Sequence, residues 1–259
     1  MDNIVFSLNN FEYFLLILVR IASFIFIAPI FGQNGIPRQI KIGLSFFISI
    51  FMYNIVEYPT LNYGGLVGYS MLVLKEGITG LLIGFAANIC SSIVLFAGNI
   101  IDMDIGLSMA NVFDPTTNEQ SSISGVILQY GVMLILYTTG LHRYLLKALM
   151  ETFTLIPVNG IHINTDKLLA SLVTFLGDYI IIGFRICLPV FASITLMNIV
   201  LGLLAKLAPQ MNMFSVGIQL KLLAGLSVIA ITMSMLPNVC NFISTQIQQL
   251  VVSMVEGMM

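Results

Sequence analysis

The chain has 259 residues, 58% of them hydrophobic and 8% charged, with ten Lys or Arg against twelve Asp or Glu and a net charge of −2. A soluble domain carries about 25% charged residues, so this composition, with a mean hydropathy of +1.00, is that of an integral membrane protein. It has no basic tract to hold a nucleic acid, and its three dispersed cysteines, Cys90, Cys187 and Cys240, give neither a disulfide framework nor metal spacing.

Residues Met1 to Asn10 hold Asp2 and no Lys or Arg, the reverse of a basic signal n-region, so no cleaved signal peptide is expected. The apolar run Phe11–Phe31 follows, and about 20 helical residues suffice to cross a core of about 30 Å. Arg20 stands near its centre. A charge there costs about 2.5–3.5 kcal/mol on insertion scales, so it is expected to face protein or water. Glu76, Asp102 and Asp104 are the acids available to it.

The next segment carries Arg38 and Lys41 without an acid. The positive-inside rule places it in the cytoplasm as a partner-facing loop. Ile42–Val56 is short for a span, while Leu66–Ile101 is too long for a straight one, with breaks expected at Gly77, Gly80 and Gly84. Gly80 and Gly84 also form a GxxxG pair, which lets another helix approach closely. Lys75 and Glu76 lie inside this run and are expected to face protein or water, as charges that fix how helices or subunits dock.

Polarity then changes abruptly. Residues 102–124 hold Asp102, Asp104, Asp114 and Glu119, four of the twelve acids, and no Lys or Arg. The centre of the stretch is Gly106, Leu107, Ser108, Met109, Ala110 and Asn111, followed by Phe113, Asp114 and Pro115. Lipid cannot satisfy such backbone, so the loop must be buried in protein or line water, as a gate, plug or binding loop. Gly106 supplies freedom in φ, and Pro115 disfavours helix at Asp114. The Gly106–Ala110 pattern misses the GxSxG nucleophile motif at its last residue, and no strand precedes it. With His142 and His162 the only histidines, neither catalysis nor a cofactor is expected.

Gly125–Leu141 is the fourth apolar run, and the segment from His142 to Lys167 leans cytoplasmic through Arg143, Lys147 and Lys167. Leu168–Leu204 is again overlong, with a break expected at Pro189. It contains Asp178 and Arg185, roughly 10 Å apart on one face, too far to pair with each other. Such charges line a polar conduit or fix how helices and subunits dock, and docking is the better reading because few acids sit mid-helix. The loop with Pro209, Gln210, Asn212 and Phe214 also leans cytoplasmic. Simple alternation cannot place all three basic segments on one side, so some run turns back or fails to cross. Gly217–Leu236 leads to a last run, Val239–Val255, whose Ile243, Ile247, Leu250 and Met254 share a face. Its Gln-rich remainder suits helix–helix hydrogen bonding, or else the helix lies on the membrane surface.

Several separated blocks resemble the FliR family of flagellar type III export-gate subunits. They are Arg20 with Ala28-Pro-Ile-Phe31, Ile36-Pro-Arg38 with Lys41, and Lys75-Glu76-Gly77. Gly98-Asn-Ile-Ile-Asp102 leads into Gly106-Leu-Ser-Met-Ala110 and Phe113-Asp-Pro115. Gly140-Leu-His142, Pro157 and Ala208-Pro-Gln-Met-Asn-Met-Phe214 complete the set. Leu141 departs from the more polar residue expected before His142. The resemblance implies a single all-α domain over residues 1–259, a polytopic membrane protein of kinked helical hairpins. It would pack into a hetero-oligomeric ring with FliP-like and FliQ-like subunits and an FlhB-like switch subunit. That ring passes unfolded export substrates across the bacterial inner membrane at the flagellar basal body. The loop at about 102–124 would be its plug, and about 239–256 an amphipathic C-terminal helix. A self-contained small-solute transporter, with Arg20, Lys75, Glu76 and Asp178 along its route, is the other class considered. Transporters often show two similar halves, and no repeat is found.

Overall fold

Across lipid, each backbone N–H and C=O must be satisfied within its own segment, which favours helix. Every regular element among the described residues is helical. The computed structural model describes residues 8–33, 35–56, 63–108, 122–158, 160, 164–210 and 212–258. Helix α1 spans Leu8–Ile27, α2 Arg38–Ile55, α3 Gly65–Ile105, α4 Ile123–Thr138, α5 Leu141–Leu155, α6 Thr165–Leu207 and α7 Met213–Thr232. A 3-10 turn, Met233–Met235, leads into α8, Leu236–Glu256. Four stretches, in α1, α3, α6 and the α7–α8 arm, are long and apolar enough to cross a membrane, and α4 with α5 makes a fifth if counted as one broken span.

Two expectations are corrected. The glycines do not break α3, which runs unbroken for 41 residues. A glycine costs a helix interior only about 1 kcal/mol, and here close packing offsets it. A Cβ on Gly80 would stand 2.1 Å from the Arg20 carbonyl oxygen and the Ser23 hydroxyl, and one on Gly84 3.0 Å from the Phe24 carbonyl. The GxxxG pair is where α3 admits α1. Helix α6 likewise continues through Pro189 for 43 residues. Finally, the polar segment after Leu141 begins as helix α5, which buries Leu141, Leu145, Leu149 and Phe153 and exposes Arg143, Lys147 and Glu151.

The chain divides into two compact units, and α3, α6 and α8 contribute to both. The first comprises Met1–Cys90, Gly140–Phe175 and Thr245–Met259. In it α1 packs on α2, with Phe14 edge-on to Phe46 at 5.7 Å and to Tyr53 at 5.9 Å. Lys41, Ser45 and Ser49 line the buried face of α2. Both serine hydroxyls donate to carbonyls four residues back at 2.7 Å. Lys41 is therefore no free cytoplasmic contact. Its Nζ donates to the Gly32 carbonyl at 2.8 Å and ties the start of α2 to the turn after α1. Within that turn Ile30 holds a left-handed φ of 74°, a strained state for a β-branched residue.

At the centre of this unit lies Arg20, fully buried. Its Nε donates to Glu76 on α3 at 2.5 Å. Nη1 donates to the Thr152 and Ile156 carbonyls, 3.2 and 3.0 Å away, at the C-terminal end of α5. The guanidinium carbon lies 4.4 Å from the Phe153 ring centroid. A cation at a helix C-terminus meets both its unsatisfied carbonyls and the negative end of its dipole. One side chain thus joins α1, α3 and α5.

The second unit comprises Ser91–Thr139 and Leu176–Ser244. Here α4 buries Leu128, Val132 and Leu136, and Cys240 on α8 donates its thiol to the Val132 carbonyl at 3.8 Å. Gly183 on α6 makes room for the Phe96 ring, which a Cβ would approach to 2.5 Å. Gly225 on α7 does the same for Ile105. On α8 Ile243 is buried in this unit, and in the first unit Ile247, Leu250 and Met254 are buried while Gln248 and Gln249 are exposed.

Removing one partner of a buried ion pair typically costs about 3–5 kcal/mol, because the other charge is left uncompensated. Arg20→Ala is accordingly expected to lower the thermal stability of the detergent-solubilised chain sharply, and Arg20→Ala with Glu76→Ala less than the two single changes added. An unchanged melting temperature for the single variant would contradict the clamp.

Candidate functional site

The polar loop read from the sequence hangs from a structured base. Helix α3 carries Asp102 one turn before its end, 4% exposed. The Asp102 carboxylate accepts the Ser122 hydroxyl at 2.8 Å and the Ser124 backbone N–H at 3.3 Å to each oxygen. Ser122 is the N-cap of α4, and its Oγ accepts from the Gly125 N–H at 2.8 Å. A helix N-terminus offers unsatisfied N–H groups and a positive dipole end. A serine cap and a buried carboxylate answer both.

Two glycines bring the helices close enough. A Cβ added to Gly98 would stand 2.0 Å from Gly125 Cα, so α3 and α4 touch backbone to backbone about one turn below Asp102. Gly106 ends α3 in a left-handed conformation, φ 93°, with its N–H on the Asp102 carbonyl at 3.1 Å. That is the usual glycine exit from a helix. The segment between Gly106 and Ser122 therefore leaves and re-enters the helices at one point, held by Asp102. Ser124 Oγ is buried there and has no hydrogen-bond partner among the described residues.

Of the loop residues singled out from sequence, Gly106, Leu107 and Ser108 are half-buried at this exit. Met109, Ala110, Asn111, Phe113, Asp114 and Pro115 lie outside the described residues. The expected buried charges split into two groups. Arg20, Glu76 and Asp102 are buried, whereas Lys75, Asp178 and Arg185 are exposed. Those three stand on faces of α3 and α6 turned away from the chain's own core. Arg38 is exposed in the first turn of α2. Pro209 and Gln210 form an exposed turn, and Asn212 caps α7 by accepting from the Ser215 N–H at 3.4 Å. Phe214 lies in the first turn of α7, its side chain outside the described set. Sequence reading missed Ser122, Ser124 and Gly125. The signal was present for Ser122, a serine directly before an apolar helical run.

An all-helical chain with four membrane-length apolar helices and internally paired buried charges is a polytopic membrane protein. Residues 11–247 match the family described as bacterial export proteins, family 1, and the chain belongs to it. It is 31% identical to the flagellar biosynthetic protein FliR of Bacillus subtilis over 232 residues, 88% of this chain and 89% of that protein. It is 28% identical to FliR of Escherichia coli over 244 residues, covering 92% and 91% of the two chains. FliR of Aquifex aeolicus is 26% identical over 220 residues, 84% of this chain and 83% of its own.

Losing a charged hydrogen-bond acceptor at a helix N-terminus costs about 1–3 kcal/mol. Asp102→Ala should therefore raise amide hydrogen exchange at Ser124 and Gly125 by about tenfold or more, with Asp102→Asn intermediate. Unchanged exchange would show that the carboxylate does not hold the base of the loop.

Proposed function

We propose that this chain is a noncatalytic component of the flagellar type III protein-export apparatus in the bacterial cytoplasmic membrane, and that the α3–α4 loop closes the export channel. In this reading it assembles at the basal body with FliP-like and FliQ-like gate subunits and an FlhB-like switch subunit. It passes unfolded flagellar proteins and needs no cofactor. Family membership supports the export role, as does similarity to FliR proteins over most of the chain.

The observation that carries the gate is the base of the loop. A channel for unfolded polypeptide must be wide when open and tight to ions at rest. An element that closes it has to be displaced without unfolding its frame. Asp102, Ser122 and the Gly98–Gly125 contact anchor the two ends of the loop to rigid helices. The frame is therefore fixed independently of whatever lies between. Residues Met109 and Phe113 bring apolar bulk, and Asp114 and Glu119 keep the same loop wetted.

Deleting Val112–Thr116 is expected to raise resting ion conductance across the membrane while leaving complex assembly intact. An unchanged leak with a correctly assembled complex would remove the gate. On blue-native gels the chain should run in a large mixed complex; a small homo-oligomer would favour solute transport instead.

A further inference from the structure

Helix α6 has 43 residues, about 64 Å at 1.5 Å per residue, against about 30 Å of hydrocarbon. Lipid can cover about half of it. Asp178 and Arg185, both on this helix, are exposed. Neither takes part in an ion pair among the described residues, where the pairs are Arg20–Glu76 and Lys147–Glu151. Seven residues apart, they are separated by about 10 Å along the axis and about 20° around it. Ile181 and Leu188 share that side of the helix, 59% and 55% exposed.

No depth in a bilayer satisfies this face. With Asp178 and Arg185 in hydrocarbon, two charges lie there unpaired, which membranes do not tolerate outside a protein or water environment. With the uncharged stretch from 186 to 205 in hydrocarbon, the charges are free. Ile181 and, further round the helix, Phe184, 59% and 52% exposed, then face water. Exposed apolar side chains grouped on one face mark a protein contact. Both placements call for an apolar protein surface over this face, and the first calls for two charges on it.

We infer that this face of α6 docks against an apolar helix of another subunit, one presenting a cation opposite Asp178 and an acid opposite Arg185. The inference rests on the export-component reading and adds what the neighbour must carry. Apolar helix faces slide easily, and a slip of one turn, about 5.4 Å, would break both pairs, so the two charges set register. A helix with the charges in the reverse order meets two like-charge contacts and is rejected. Beside Asp178, a Cβ on Gly177 would touch nothing in this chain, which leaves space for a closely approaching neighbour.

The test uses the full chain in native membranes, with a photo-crosslinking residue at Ile181 or Leu188, beside an Asp178→Leu, Arg185→Leu double variant. Crosslinking to one other polypeptide is expected, and the double variant should reduce the co-purified complex at least about tenfold. Its melting temperature without partners should be unchanged, because neither charge is in an ion pair among the described residues. Lipid-only adducts, or a double variant that assembles normally, would overturn the inference while leaving the export role standing. A lowered melting temperature would overturn it too, by assigning the charges to the chain's own fold. Failure of the unaltered chain to enter any mixed complex would remove the export reading itself, and this inference with it.

Discussion

The fold turns on one buried cation. Arg20 sits where hydrocarbon-like packing would make an isolated charge intolerable, and three helices are arranged so that it is not isolated. Glu76 on α3 supplies the countercharge, and the end of α5 supplies the carbonyls of Thr152, which also accepts the Ile156 N–H, and of Ile156. Such a pair adds little net stability compared with an apolar core of equal volume. Its effect is on uniqueness: α1, α3 and α5 can meet at one register only. The absent side chain at Gly80 is part of the same arrangement, because it lets α3 approach the backbone of α1 at Arg20 itself.

The same principle organises the base of the polar loop. Asp102 is buried with its oxygens on Ser122 and Ser124, so the charge that ends α3 also starts α4. Polar groups in this chain fall into two classes. Those with internal partners fix the frame. Asp178 and Arg185 take part in no ion pair among the described residues, and in the proposed docking their sign and spacing describe what lies against them. A protein with 8% charged residues leaves few such groups, which is why each one can be traced.

Much of the architecture was legible beforehand. The apolar runs marked the long helices, and helical spacing marked the buried stripe of α8. Arg20 was identifiable as a charge needing protein, and Glu76 was one of three acids it had available. What misled was reading glycine and proline as breaks. Gly77, Gly80 and Gly84 cost α3 little once α1 packs into them, and Pro189 removes only one donor from a helix of 43 residues. Helix α5 was hidden because its signal is amphipathic periodicity, and a search for apolar runs passes over a helix whose outer face carries Arg143, Lys147 and Glu151. Lys41 looked like a loop cation because sequence does not show that the Gly32 carbonyl lies within reach. For the site, Asp102 stood out as an acid beside a glycine-marked loop. Its partner Ser122 was legible only as a helix cap and Ser124 not at all, since a hydrogen bond across twenty or more residues has no local signature.

In the proposed function the loop between α3 and α4 closes a channel for unfolded protein, its two ends held by Asp102 and Ser122. The most direct test is contact with the traffic itself. A photo-crosslinking residue placed at Asn111, in cells holding an export substrate stalled in transit, should capture that substrate, and the same residue at Tyr137 on α4 should not. Capture at neither position, in a complex shown to be exporting, would contradict the claim.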